Sequence, residues 1–313
     1  MLRVDPWSFD EQQGRVFHTA TFSIYTTEKA PIITDRLPAF MEAALDQYIS
    51  AIAPLARPSK RLESFVMGSR GQWQRLTLAM LGERGRSLTY IERGGFASGG
   101  RAFLFDIGDA DTLSLASHEG WHQFTQSTFA QRLPTWAEEG IATYMEGYRW
   151  IGDRAIFSGW ANVERFDHLR EAMAKGEVLS LSEVLSSTPE GLMQRGFQGP
   201  VTYYSQLWTL MHFLHEGEAG KHRVQFQRLV SDAAAGRLGL AVSVQLNDPR
   251  AAGLLATSSA AGGAMVFRAY FGDPAGLEGA YRAFVGQVLA TGARQAIVEG
   301  RSPIAPQGGR QAP

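Results

Sequence analysis

The stretch that most constrains this chain runs from Ser117 to Gly147, SHEGWHQFTQSTFAQRLPTWAEEGIATYMEG. It contains His118-Glu119-Gly120-Trp121-His122, an H-E-x-x-H pattern. On an α-helix, two histidines four apart are separated by about 40° of rotation and about 6 Å of rise. Both imidazoles then project to one side and can share a metal ion. Glu119 lies about 100° round from His118, on the flank of that face. There a carboxylate can take a proton from a water without occupying a coordination position. The pattern carries this chemistry only if the segment is helical, so a helix through residue 122 is the first expectation.

A four-coordinate catalytic zinc takes three protein ligands and keeps one position open. Candidates for the third lie on a second predicted helix, opened by Pro134 and Thr135. Thr135-Trp136-Ala137-Glu138 reads as a capping box, which spends Glu138 on the helix N-terminus. Glu139 is then expected as the third ligand. Glu146, seven residues on along the same face, is placed to hydrogen-bond a ligand histidine and fix its tautomer. Gly147 suits the helix end.

The segment Trp136-Ala137-Glu138-Glu139-Gly140-Ile141-Ala142-Thr143-Tyr144-Met145-Glu146 resembles the W-x-x-E-G-x-A-x-Y-x-E segment of gluzincin metallopeptidases. That group includes the M1 aminopeptidases and the peptidase MA-like proteins. In it the Glu before Gly is the third zinc ligand, which supports Glu139. The gap from His122 to Glu139 is slightly shorter than in the M1 enzymes. It looks more like the bacterial peptidase MA-like domains, which also carry the L-P-x-W lead-in seen here as Leu133-Pro134-Thr135-Trp136. The resemblance covers Gly94 to Gly147 and, more weakly, Tyr203 to Leu214. It implies an α+β, zincin-like fold, one Zn2+ per chain and hydrolysis of a peptide or protein substrate, with Glu119 activating the water.

Two further site expectations rest partly on this resemblance. In M1 aminopeptidases a glycine-containing strand segment before the metal helix binds the substrate backbone. The matching run, Gly94 to Gly100, makes Gly95 and Phe96 candidate substrate-binding residues. The competing reading of these glycines is a hairpin turn that needs positive φ. The pattern Y-x-Q-x-W from Tyr204 is similar to a peptidase MA-like segment, and Tyr204 is the expected oxyanion donor, with Tyr203 as the alternative. Both tyrosines also fit the description of half-buried core aromatics. His212, among Trp208, Met211 and Phe213, reads as a packed core histidine. His18, His168, His215 and His222 have no partner at metal-site spacing.

Composition narrows the remaining classes. The 313 residues are 44% hydrophobic and 19% charged, with a net charge of −1, ordinary values for a globular protein. No basic run favours nucleic acid. The absence of cysteine excludes disulfides, thiolate catalysis and Cys-ligated zinc. The best apolar stretch, Ala251 to Val266, is interrupted by glycine and too short to span a bilayer. Met1 to Gly14 is acidic without an apolar run and does not read as a signal peptide. Read as it stands the chain is cytoplasmic; a start further upstream would make it extracytoplasmic.

The expected layout is an N-terminal extension at 1–14, a zincin-like domain at 15–300 and a disordered tail at 301–313. Within the domain we expect an α/β lobe at 15–110, zinc-site helices at 111–147 and a helical lobe at 148–300. The α/β lobe has a small mixed sheet, with strands at 15–28, 61–68, 88–92 and 101–107 and helices at 33–53 and 71–81. The functional expectation is a zinc metallopeptidase. The alternatives are a zinc hydrolase acting on a non-peptide amide, and a catalytically silent binding or scaffold module.

Overall fold

Alternation of side chains begins at the third residue. In the computed structural model, which describes residues 2–92, 94–194, 198–251, 253 and 260–304, Arg3–Phe9 forms β1 and Gln12–His18 forms β2. They pair antiparallel, with Val4 opposite Phe17 and Trp7 opposite Gly14. Asp10 and Glu11 between them hold φ of 53° and 62°, a mirror-image turn that matches strand twist. The expected extension at 1–14 is therefore corrected. Its acidic pair is a hairpin turn, and Trp7 and Phe9 pack against the sheet core.

The strand expected at 15–28 is also two strands, β2 and β3 (Phe22–Thr26). The break is clamped by Glu42 of α1 (Pro31–Tyr48), whose carboxylate accepts from the Thr19 and Thr21 hydroxyls and the Thr21 amide. Beyond α1 come β4 (Leu62–Met67), α2 (Arg70–Leu81) and two 3-10 turns, Gly82–Gly85 and Ser87–Tyr90. The second turn replaces the strand expected at 88–92. Arg70 and Gln74 donate to the carbonyls of Thr89 and Ile91, so these need no sheet partner.

β5 (Gly95–Ser98) and β6 (Arg101–Phe105) complete a six-stranded sheet of order β1-β2-β3-β4-β6-β5. Its centre, β3-β4-β6, is parallel and its flanks are antiparallel. Gly99 and Gly100, at φ of 59° and 75°, make the β5–β6 turn. One face carries a ladder of stacked rings, Tyr25–Phe65–Phe103–Phe96, at 4.8, 5.3 and 4.9 Å. Trp73 of α2 lies edge-on to Phe96 and donates to the Phe103 carbonyl. On the other face α3 (Asp109–Thr128) is tied to β4 through Gln123, which bonds the Ser64 hydroxyl and the Glu63 carbonyl.

The rest of the chain forms α4 (Thr135–Met145), a hairpin of β7 (Tyr148–Ile151) and β8 (Arg154–Phe157), then α5 (Val163–Lys175), α6 (Leu181–Ser186), α7 (Pro189–Met193) and α8 (Gln198–Gly220). It continues as α9 (Arg223–Ala234), α10 (Leu238–Leu246), α11 (Ala260–Phe271), α12 (Pro274–Val288) and α13 (Ala293–Val298). α8 breaks near its end, where Glu218 and Ala219 hold positive φ. No helix among the described residues is long and apolar enough to cross a membrane. The chain divides into two compact units. One is Met1–Leu133 with Trp150–Phe157 and Gln227–Leu238; the other is Pro134–Arg149, Ser158–Phe226 and Gly239–Pro313. The division falls between α3 and α4 and does not follow the lobes expected at 15–110, 111–147 and 148–300. The tail expected from 301 lies outside the described residues from 305 on; before that, Ser302 donates to Glu216.

The second unit is helical around buried aromatics. Trp136 of α4 donates to the Gly263 carbonyl and meets Phe267 edge-on. Gly140 lets α4 and α8 approach, because a Cβ there would lie 2.7 Å from the end of Met211. His212 is fully buried, stacked at 3.5 Å on Trp160, with Nδ1 3.5 Å from the Glu216 carboxylate. Burial pushes its pKa below the usual 6.5, and Glu216 offsets this only in part. The folded state keeps His212 neutral where the unfolded chain would take a proton. Its contribution is therefore fully present above about pH 6.5 and is lost as pH falls below that. Thermal melting temperature should drop on acidification through this range, and less steeply in His212→Phe. Parallel pH profiles for the two proteins would assign the effect to other groups.

Candidate metal centre

The helix that carries the histidines is gripped on its opposite side. Trp121 and Phe124 are fully buried and pack with Tyr48 of α1. The Tyr48 hydroxyl donates to the Ser117 carbonyl at 2.6 Å. A Cβ at Gly120 would lie 2.5 Å from that hydroxyl oxygen, so only glycine lets α1 sit this close to α3. The N-terminus of α3 is held by the residues just before it. Gly108 is the cap, without a side-chain bond, while the Asp106 carboxylate accepts from the Gly108 amide and the Thr112 hydroxyl.

With α3 held in this rotation, His118 and His122 face the same way. Their Nε2 atoms are 3.2 Å apart and the rings are 76° to each other. His118 and Glu119 are buried, at 9% and 7% exposure, and His122 is half-buried. Glu139 joins the pair: the ligand atoms of His118, His122 and Glu139 all lie within 4.8 Å of one another. Two imidazole nitrogens and a carboxylate oxygen at this spacing can close on one metal ion. Among the described residues, Glu139 and not Glu138 belongs to the group.

The capping box expected to hold Glu138 is absent from α4. The helix is capped by Pro134 with no side-chain bond, and its first amides bond the Pro134 carbonyl. What orients the two glutamates is the helix's buried face, Trp136, Ala137, Gly140 and Ile141. Gly147 is also explained differently. A Cβ there would collide with the Ser158 carbonyl, and the Gly147 carbonyl accepts from the Ser158 amide.

Glu146 is 7% exposed and grips Arg165. The guanidinium donates through Nε at 2.9 Å and Nη2 at 2.8 Å, and Asn162 adds a third bond at 2.8 Å. Burial alone would lower the Arg165 pKa; Glu146 more than offsets it and holds the guanidinium charged. Arg165 also stands 5.4 Å over the Tyr204 ring. Neither Asn162 nor Arg165 figures in the sequence reading. Asn162 is recognisable as the N-cap of α5, with Arg165 three residues on, but nothing in that pattern signals a buried carboxylate as partner.

Of the two tyrosines, Tyr203 is fully buried and donates to the Ser187 carbonyl at 3.1 Å. Burial, then the charge of Glu139, pushes its pKa up. Tyr204 is half-buried, beneath Arg165. Phe96 is not available as a side-chain contact for substrate, because its ring belongs to the stacked ladder. Gly95 opens β5, and a Cβ there would press on Leu104 and the Phe103 carbonyl of β6. Only their backbone, on the edge strand, is left for a ligand. Compared with known proteins, the chain matches no family profile and no curated protein.

The buried pair gives a stability prediction. Arg165→Met strands the Glu146 carboxylate and should cost about 3–5 kcal/mol in urea unfolding. Arg165→Lys should recover only part of this, since an ammonium lacks the two-pronged geometry. Wild-type stability in Arg165→Met would show that the pair is not structural.

Proposed function

We propose that the protein is a zinc-dependent metallopeptidase of the gluzincin type. The observation that carries this reading is the grouping of His118, His122 and Glu139 with Glu119 on the flank of the same helix. Two nitrogens and one carboxylate are a donor set that suits zinc and leaves a position open. Bound there, zinc would supply a Lewis acid that polarises the scissile carbonyl and eases deprotonation of the attacking water.

The remaining work falls to the chain's own residues. Glu119 takes a proton from the water as its oxygen adds to the carbonyl carbon, and later delivers it to the amine as the C–N bond breaks. Its low exposure keeps that proton from bulk solvent. The Tyr204 hydroxyl is the proposed donor to the developing oxyanion. The backbone of Gly95–Phe96, on the edge strand, is the proposed rail for the substrate chain.

Elemental analysis of the purified protein should find about one zinc per chain, in line with one ligand set. His118→Ala, His122→Ala and Glu139→Ala should each lower occupancy, and Glu138→Ala should not. Loss of metal from Glu138→Ala alone would move the third ligand by one residue.

Glu119→Gln should keep its zinc and its melting temperature, because it removes neither a ligand nor core volume. Its turnover of a mixed peptide library should fall about 10²–10⁴-fold, the range for general acid–base catalysis. Equal cleavage by wild type and variant at equal zinc content would place the activity elsewhere. No cleavage by either would defeat the peptidase reading.

A further inference from the structure

Residues that the proposed reaction leaves unused gather at one end of the sheet. Lys60 and Arg61 precede β4, Arg101 opens β6, and the Gly99–Gly100 turn joins β5 to β6. With Glu63 and Gln126 they line a groove of about 690 Å³. Its lining carries three cations against one carboxylate, in a chain whose net charge is −1. A concave wall with an excess of one sign concentrates counter-charge.

The three cations are not equally committed. Arg101 holds Glu63 at 2.6 Å. Arg61 is pinned through Nε to the Thr19 carbonyl. Lys60 is exposed and makes no ion pair among the described residues. The turn lies close against α3 at Gly100 and away from other atoms at Gly99. A Cβ at Gly100 would lie 2.5 Å from the Ser127 hydroxyl, whereas a Cβ at Gly99 would meet nothing within 4 Å. The Gly99 backbone therefore borders open space.

The groove is close to the metal-binding face of α3. Gln126 follows His122 by four residues, about 6 Å along the helix and about 40° round it. Its side chain accepts from the Gly100 amide and donates to the Ala97 carbonyl of β5. A chain laid along β5 advances about 3.3 Å per residue. A side chain two or three residues from a bond held at the histidines would then reach the groove.

We propose that this groove binds the carboxylate side chains of an acidic peptide, so that substrates carry Asp or Glu a few residues from the cleaved bond. The term "substrate" rests on the metallopeptidase reading; the charge recognition does not. Separate cations along a rim suit separate carboxylates, while Glu63 inside the groove opposes a compact dianion. The lining has no aromatic side chain on which a nucleobase would stack.

The test uses the full chain carrying Glu119→Gln and three labelled peptides of equal length, rich in Glu, Gln or Lys. Fluorescence anisotropy should rank Glu over Gln over Lys, with the Glu preference shrinking as salt rises. Lys60→Ala with Arg61→Ala should weaken the Glu peptide about 2- to 20-fold, the loss of two exposed pairs, and leave the Gln peptide unchanged. Lys60→Ala alone, at an exposed position, should give part of this effect without altering the melting temperature. Equal binding of the Glu and Gln peptides, or an undiminished Glu preference in the double variant, would overturn the proposal. Charge-dependent binding without cleavage by the wild-type protein would remove the peptidase reading and keep the groove; cleavage without charge preference would do the reverse.

Discussion

The contact between Tyr48 and Gly120 governs what the metal helix can present. A glycine inside a helix costs about 1 kcal/mol relative to alanine. Here that cost accompanies an approach no larger residue permits, with the tyrosine hydroxyl seated on the Ser117 carbonyl. Burial pushes the Tyr48 pKa far up, so the hydroxyl remains a donor at any ordinary pH. The rotation of α3 is set from behind by this contact and by Trp121 and Phe124. His118 and His122 inherit their direction from it.

The local chemistry of α3 and α4 was legible in sequence because helical spacing is nearly rigid. Residues four apart share a face whatever surrounds them, and the two histidines do. Glu139 was identified correctly as the companion of the histidines, but by way of a capping box that does not exist. Misreadings occurred where a distant residue decides. Glu42 ends a strand that the pattern at 15–28 would continue. Arg70 and Gln74 satisfy carbonyls at 89 and 91 and so remove the need for a strand there. The first hairpin was hidden because Glu11 stands at the second position of a turn with two positive φ values, where glycine is the usual signal.

Glu146 shows the same limit within the site. Its spacing from Glu139 is plain, while two of its partners, Asn162 and Arg165 at the start of α5, lie sixteen and nineteen residues away and leave no mark in that spacing. Two buried charges are costly to desolvate, and that cost is offset here by a two-pronged Arg165 contact and a further bond from Asn162. It joins the end of α4 to the start of α5 and places a guanidinium over Tyr204. The C-terminal part of α4 is thus held by electrostatics, and its middle by the close packing of Gly140 on Met211.

The stacked ladder on the sheet has a consequence for how the chain folds. Its rings come from strands whose parallel pairings, Phe22 with Leu62 and Glu63 with Arg101, each close a loop of roughly forty residues. Such long-range pairing is slow, because chain entropy is lost before the contacts that compensate it form. The β1–β2–β3 meander is local and can assemble early, with Trp7 and Tyr25 on one face and neither Phe65 nor Phe103 yet beside them. An uncovered aromatic surface beside an open strand edge is the kind of intermediate that self-associates. The aromatic face is complete only where β4 and β6 lie beside β3, and α3, which follows β6 directly, is tied to the opposite face of that same sheet.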